Sequence, residues 1–436
     1  MKKKLPSGPR FFKPAVKPKK PTQRAFDLAI ERLSDEGRGI GFEQNKAVFV
    51  AGVLPGEKAR VRALEEKRTT ITAELITLTE RSPQRIEPKC PVFGRCGGCQ
   101  LQMLDEPSQL AHKQQMLERL LKSVSSAEGL QWEAPITAKS WFYRHRARLA
   151  VTAVNGAPAV GFKGANSHQV IPVTACPILD ERLQPLLQLL PQWLAQLTQW
   201  RRVEEILIAV DADGQLAIDW NIQRASPKAD AEILEILAKS AHVLCGPNAQ
   251  LRYAAPSVQG SFKFSVRDFT QVNPAINDQL AARVLTWLAP TEGDTIADLF
   301  CGLGNFTLPL ARHAKSVVGF EISAAMVQRA EANAANQQCE NAAFHALDLF
   351  EAAAQLPNIF DKVLLDPPRA GAKILCEQLV TSKALQKIVY VSCNPQTLVR
   401  DLVILTAGGF KLERAALVEM FPQTGHCEAV VSLVRS

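Results

Sequence analysis

Thr295-Ile-Ala-Asp-Leu-Phe-Cys-Gly-Leu-Gly-Asn305 decides the fold of this 436-residue chain. Thr295–Phe300 reads as a buried strand, Cys301–Asn305 as a glycine turn, and Phe306 onward as a helix. Strand, Gly-x-Gly turn and helix form the first unit of a doubly wound nucleotide-binding sheet, where the glycines let the backbone approach the ligand. A Gly-x-Gly alone is weak evidence. Here Ser316-Val-Val-Gly-Phe-Glu321 adds a second strand, ending in an acid 19 residues after Gly302. An acid at that spacing is placed to take the ribose hydroxyls of an adenosine. Ala346-Leu-Asp348 ends a third strand with a polar group for the adenine. The single Gly-Leu-Gly has no third glycine for a pyrophosphate, which favours S-adenosylmethionine over a dinucleotide.

Downstream, Phe360-Asp-Lys-Val-Leu-Leu-Asp366-Pro-Pro-Arg369 supplies a fourth strand and an Asp-Pro-Pro loop at the substrate-facing edge. Arg369 stands where amino-group methylases carry an aromatic residue, which disfavours that chemistry. The fifth strand, Lys387–Ser392, delivers Cys393 to the same carboxyl edge. A thiol at a strand end beside an activated methyl donor suggests a nucleophile. The chemistry such a thiol allows is covalent attack on an electron-poor ring, then group transfer. Cys301, within the glycine turn, faces the donor or the core.

Upstream, the chain divides into a basic arm (1–23), a small barrel (24–82), a central region (83–265) and the methyl-transfer region (266–436). Nine Lys/Arg, no acid and five prolines occupy residues 1–24, whereas the rest of the chain is close to neutral despite the overall +8. Such an arm reads as disordered, either merely solvated or in counterion-releasing contact with a polyanion. Short apolar runs between Phe26 and Ile76, separated by Gly and charge, suggest a small barrel. Within it, Val48-Phe-Val-Ala-Gly-Val-Leu-Pro-Gly-Glu-Lys58 resembles the TRAM domain, an RNA-binding barrel of the OB type.

Cys90, Cys96 and Cys99 are spaced C-x5-C-x2-C, and Cys176 follows far downstream. A compact loop with one remote closing thiol fits a four-thiolate iron–sulfur site better than a structural zinc, which more often shows two C-x2-C pairs. Gly94, Gly97 and Gly98 leave the backbone free to wrap a metal, which weighs against buried free cysteines. Trp141-Phe-Tyr-Arg-His-Arg-Ala-Arg-Leu149 alternates aromatic and basic residues. It reads as an RNA-contacting surface, or as a strand with one aromatic core face and one solvated basic face. No apolar run reaches bilayer-spanning length, and the N-terminus lacks the apolar stretch of a signal peptide, so the expectation is a cytoplasmic protein. Ten cysteines there argue for reduced thiols, metal ligands or catalysis rather than disulfides.

Phe269-Thr-Gln-Val-Asn273, Asp298–Phe306, Asp366-Pro-Pro-Arg369, Val391-Ser-Cys-Asn-Pro395 and His426-Cys-Glu428 together resemble the RNA (uracil-5-)-methyltransferases along nearly the whole chain. The combination of barrel and cysteine cluster is similar to the member acting at position 1939 of 23S ribosomal RNA. The resemblance implies a Rossmann-like S-adenosylmethionine-dependent methyltransferase behind an OB-type TRAM barrel and a central α+β region. It implies a [4Fe-4S] cluster on Cys90, Cys96, Cys99 and Cys176, and an S-adenosylmethionine site lined by Gln271, Phe300, Asn305, Glu321, Asp348 and Asp366. On a uracil substrate, C5 is too electron-poor to attack a methyl group directly, but a thiolate added at C6 makes C5 nucleophilic, and a base must then remove the C5 proton so that the thiolate can leave. Cys393 and Glu428 fill these two roles, with His426 as the alternative base. The expected partner is 23S ribosomal RNA, with neither DNA nor membrane, for a monomer. A radical methylating enzyme would need a C-x3-C-x2-C motif, which the sequence lacks. A non-catalytic RNA-binding factor on the same scaffold is opposed by the intact Cys393 and Glu428.

Overall fold

The computed structural model describes residues 24–124, 129–165, 167–222, 228–353 and 356–436. The basic arm expected over residues 1–23 lies outside the described residues. Two compact units separate: one runs to Ser34 and resumes over Arg38–Pro83, and the other comprises Asp35–Gly37 and Gln84–Ser436. The boundary expected near residue 265 falls inside the second.

The first unit is a six-stranded sheet: β1 (Ala25–Ala29), β2 (Arg32–Leu33), β3 (Gly39–Glu43), β4 (Lys46–Val50), β5 (Lys58–Glu66) and β6 (Thr70–Glu80), in the order β1-β5-β6-β4-β3-β2. Because β1 and β2 are nearly one run, their pairing with β5 and β3 closes the sheet on itself. Alternation fills the interior: Ala59, Val61 and Ala63 of β5 point in, while Arg60 pairs outside with Asp27 at 3.0 Å. The Leu-Pro-Gly-Glu signature is a turn closed by its own acid. Gly56 sits at φ +80°, and the fully buried Glu57 accepts from Leu54 N at 2.7 Å and Ser82 N at 3.2 Å.

The second unit begins with the cysteine loop and α1 (Glu106–Leu121), capped by Asp105, whose carboxylate accepts from Ser108 N at 2.9 Å. After β7 (Gln131–Trp132) come β8 (Arg146–Val154), β9 (Ala157–Lys163), β10 (Val170–Pro172), α2 (Gln184–Leu194), β11 (Val203–Val210), β12 (Leu216–Ile222), α3 (Lys228–Ser240) and β13 (Val243–Cys245). The six strands β8–β13 form one sheet in the order β10-β9-β8-β11-β12-β13, antiparallel except for β12 with β13. A hairpin, β14 (Gln250–Ala255) and β15 (Gly260–Ser265), then puts Tyr253, Phe262 and Phe264 into the core that underlies the methyl-transfer region.

That region runs α4 (Pro274–Leu288), β16 (Thr295–Leu299), α5 (Thr307–Ala311), β17 (Ser316–Glu321), α6 (Ala324–Asn336), β18 (Ala342–Ala346), β19 (Lys362–Leu365), α7 (Lys373–Leu379), β20 (Lys387–Ser392), α8 (Pro395–Ala407), β21 (Phe410–Val418) and β22 (Glu428–Arg435). Its sheet has the order β18-β17-β16-β19-β20-β22-β21-β7, parallel from β18 to β20, with β22 antiparallel to both neighbours. The apolar runs of β16, β19 and β20 are buried on both faces, as parallel strands covered by helices must be. The chain reverses direction across the sheet between β16 and β19. At such a switch point, ligands bind beyond the carboxyl ends of the strands. No helix among the described residues is long and apolar enough to cross a membrane.

Candidate active site

A cavity of about 530 Å³ opens at that carboxyl edge. Gln271, Phe300, Glu321, Asp348, Asp366, Cys393 and Glu428 all line it. Seven separate segments therefore converge on one space.

On one side the wall comes from the first two strand ends. Phe300 and Cys301 both donate their N–H to Phe320 O, which folds the chain back at the tip of β16. Phe300 takes φ +72°, an uncommon conformation for a bulky residue that the surrounding bonds must enforce. Gly302 and Gly304 follow at φ +55° and +91°, where a side chain would be strained. Glu321 reaches across to accept from Gly302 N at 3.3 Å and Ser323 N at 2.9 Å. The acid expected for ribose thus also shapes the glycine turn. Phe350 packs against Phe300 at 5.7 Å, beside Ile322 and Met326, and makes an apolar slot in the cavity wall.

Asn305 does not line the cavity. Its Oδ1 accepts from Tyr253 Oη at 2.8 Å and Asn277 Nδ2 at 3.0 Å, and its Nδ2 donates to Asn277 Oδ1 at 2.9 Å. The amide is spent on holding the turn to α4 and β14. Cys301 is buried against Gly319, and lies in the core rather than on the cavity wall.

On the other side stand Cys393, Asp366, Arg369, His426 and Glu428. Cys393 follows the last residue of β20 and precedes Asn394, the cap of α8. Burial pushes the Cys393 thiol up to about 11, with Glu428 and Asp366 adding to the shift and Arg369 opposing it. Burial likewise pushes Glu428 up to about 8, and Asp366 adds to it. Asp366 itself is pushed up to about 7 by burial and by Asp298. Glu428 is 2% exposed, and its Oε2 has no hydrogen-bond partner among the described residues. His426 is exposed at the rim, with its Nε2 3.5 Å from Arg369 Nη2.

Two loops complete the wall, and the sequence singled out few of their contacts. Residues 266–272 carry Phe269 and Gln271. They are held by the Trp141–Leu149 segment: His145 Nδ1 lies 2.9 Å from Val272 O, and Arg146 donates to Thr270 Oγ1 at 3.2 Å, Val266 O at 3.3 Å and Asp268 O. Burial lowers the His145 ring to about 4, so it is neutral here and Nδ1 is the donor. In that segment Tyr143, His145, Ala147 and Leu149 face the core, as alternation predicts, but Arg146 faces this loop rather than open solvent. The second loop, 419–427, carries Phe421 and His426.

Cys90, Cys96, Cys99 and Cys176 line a separate cavity of about 190 Å³ with Val92, Phe162, Arg144 and Arg148. A Cβ at Gly97 would press on Lys163 O at 3.1 Å, and Gly98 N donates to Cys96 Sγ at 3.4 Å. Gln102 accepts from Cys90 N at 3.1 Å and Gln184 from Cys176 N at 3.0 Å, so a glutamine fixes each end of the thiol set. Burial pushes Cys99 up to about 12 and Cys176 up to about 11, with the neighbouring thiols contributing. Among the described residues, no three or more His, Cys, Asp or Glu side chains are gathered tightly enough to hold a metal ion.

The strand order, the glycine turn and the cavity define a class I methyltransferase fold. Residues 257–436 match the tRNA (Uracil-5-)-methyltransferase family, and residues 24–76 match the TRAM domain. Over 417 residues the chain is 40% identical to the 23S rRNA (uracil(1939)-C(5))-methyltransferase RlmD of Pectobacterium carotovorum, covering 92% of each. Over 447 residues it is 38% identical to the RlmD of Pseudomonas putida, covering 98% of each. The chain belongs to the RlmD family of 23S rRNA (uracil-5-)-methyltransferases. The crystal structure of the Pyrococcus abyssi tRNA (uracil-54, C5)-methyltransferase with S-adenosyl-L-homocysteine is similar in fold, with a TM-score of 0.72 at 20% identity over 94% of this chain and 100% of that one.

Proposed function

We propose that the protein transfers a methyl group from S-adenosylmethionine to C5 of uridine 1939 in 23S ribosomal RNA, the position named for its relatives. The observation that carries this reading is the convergence of Cys393 and Glu428 on the cavity that also holds Phe300, Glu321 and Asp348. S-adenosylmethionine, bound on the Phe300–Glu321–Asp348 side, supplies an electrophilic methyl on a cationic sulfonium. The target nucleotide leaves its stack to enter the other side. Phe269, 67% exposed at the mouth, offers it a ring face.

The Cys393 thiol gives up its proton to solvent, its Sγ forms a bond to C6 as the thiolate, and the electron pair of the C5–C6 double bond moves into an enolate. C5 then forms a bond to the methyl carbon, and S-adenosylhomocysteine leaves with the pair of the broken S–CH3 bond. Glu428 takes the C5 proton, the double bond reforms, and the C6–S bond breaks to return the thiolate. A carboxylate pushed up to about 8 is a stronger base than an ordinary glutamate and matches the operating pH. Asp366, on the same cavity wall, orients the base or the methyl donor beside Cys393.

Four cysteines on one small, partly apolar cavity fit a [4Fe-4S] cluster, whose thiolate ligands would be Cys90, Cys96, Cys99 and Cys176. Arg144 and Arg148 on the same wall would offset its negative charge. Its part is structural, and no step of the methyl transfer passes through it.

The test is transfer of labelled methyl to 23S ribosomal RNA lacking the modification, with transfer RNA as the competing substrate. Incorporation at uridine 1939, with a denaturant-stable protein–RNA species accumulating in Glu428→Gln, is expected. Labelling of transfer RNA instead, or no covalent species in that variant, refutes the reading.

A further inference from the structure

Oε2 of the buried Glu428 has no hydrogen-bond partner among the described residues, so no donor fixes that oxygen. Its direction is set by the backbone at the head of β22 and by the connection from β21 that precedes it. That connection, 419–427, is fastened from outside the hairpin. Lys113 on α1, 0% exposed, donates to Glu419 Oε1 at 2.6 Å and to Phe421 O at 3.0 Å. Gln109, one helical turn earlier and also buried, makes a reciprocal pair with Gln423. Its Oε1 accepts from Gln423 N at 3.1 Å, and its Nε2 donates to Gln423 Oε1 at 3.0 Å.

A buried ion pair is a poor way to gain stability, because desolvation of both charges consumes most of their attraction, and an apolar pair often serves as well. What such a pair supplies is direction. Lys113 fixes the loop at the backbone of Phe421 and the side chain of Glu419 at once, and Gln109 does the same at Gln423. The clamped loop supplies Phe421 and His426 to the cavity and leads directly into Glu428.

We propose that Lys113 and Gln109 are positioning residues for the proton-abstraction step, aligning Glu428 with C5 of the bound uracil. The inference rests on Glu428 being the base. It predicts a selective defect: addition of Cys393 and methyl transfer proceed, and elimination lags.

Two full-length variants test it. Lys113→Met with Glu419→Leu removes both buried charges together, which preserves folding. Gln109→Ala loosens the other clamp point and leaves every charge in place. Each is assayed on unmodified 23S ribosomal RNA beside the wild type and Glu428→Gln. Turnover is expected to fall by about 10²-fold, the cost of an ångström-scale misplacement at a reacting centre. S-adenosylmethionine binding stays at the wild-type level, and the denaturant-stable protein–RNA adduct rises above wild type as it does in Glu428→Gln. Wild-type turnover overturns the proposal. So does adduct falling in step with turnover, or loss of S-adenosylmethionine binding, because either marks general support of the fold. If Glu428→Gln itself yields no adduct, the base assignment fails; an adduct there but not in the clamp variants refutes the clamp alone.

Discussion

Replacing Glu428 by Gln should change how stability depends on pH, and the structure sets the size and sign of that change. The carboxyl is buried without a hydrogen-bond partner for Oε2 among the described residues, and burial pushes its protonation midpoint up from 4.5 to about 8. In the unfolded chain it loses its proton near the ordinary value, whereas the folded enzyme keeps it to about 8. Between those values the folded state binds the extra proton, so stability is full at low pH and is lost as pH rises towards 8. At about 1.4 kcal/mol per unit, the shift corresponds to roughly 4–5 kcal/mol. Part of it belongs to Asp366, whose charge adds to the burial effect and whose own midpoint rises to about 7. A difference of about 3 kcal/mol is therefore expected between the two proteins from pH 5 to 8, the Gln variant gaining relative to wild type as pH rises. Denaturant unfolding at half-unit pH intervals reads this directly, with unchanged m-values confirming that stability alone has moved. Parallel stability curves for the two proteins would refute the reasoning, because the carboxylate would then ionise in the folded enzyme at no cost.

Cys393→Ala should keep S-adenosylmethionine binding and show neither turnover nor a covalent RNA species; substantial turnover in a labelled-methyl assay would end the nucleophile assignment. Cys96→Ser should bleach a broad absorbance near roughly 400 nm and lower the iron content. A colourless wild type with one bound zinc would overturn the cluster. Glu57→Ala in the barrel strips Leu54 N and Ser82 N of their buried acceptor. It should cost about 1–3 kcal/mol in thermal or denaturant unfolding of that unit, and a neutral result would mean that water replaces the carboxylate.

The methyl-transfer half was legible because its signals are local. Strand, glycine turn, acid and Asp-Pro-Pro loop each occupy a short run, and a parallel sheet brings consecutive strand ends to one edge. Glu321 lies 19 residues from Gly302, and the two meet at 3.3 Å. The Leu-Pro-Gly-Glu signature was legible for the same reason, since Glu57 bonds Leu54 three residues away. Asn305 shows where locality ends: its partners are 52 and 28 residues distant, and they claim its amide for the scaffold. Gln109 and Gln423 are 314 residues apart, and Lys113 and Glu419 are 306 apart. A buried Lys and a buried Gln on α1 also run against the rule that polar residues face water, so hydrophobic periodicity hides them. Arg146 was ambiguous for a related reason. Alternation places it opposite the aromatic core face, but does not reveal that the loop at 266–270 covers that face.

The electrostatics of the cavity fit an order of events rather than a standing nucleophile. A thiol pushed up to about 11 is almost wholly protonated at neutral pH, and the acids that raise it are themselves pushed up to about 8 and about 7. Burial and the mutual repulsion of these groups thus disfavour several negative charges beside one another here. Arg369 already pulls the Cys393 thiol the other way, and the sulfonium of the donor adds a second positive charge once bound. In the proposed reaction, thiolate formation is thereby favoured in a loaded site. The same raised midpoint makes Glu428 a stronger base for the later step, because a carboxylate that resists ionisation holds a captured proton more firmly. Under the proposed mechanism, burial disfavours the thiolate before the donor is bound and strengthens the base that must release it, so one physical cause serves both ends of the reaction.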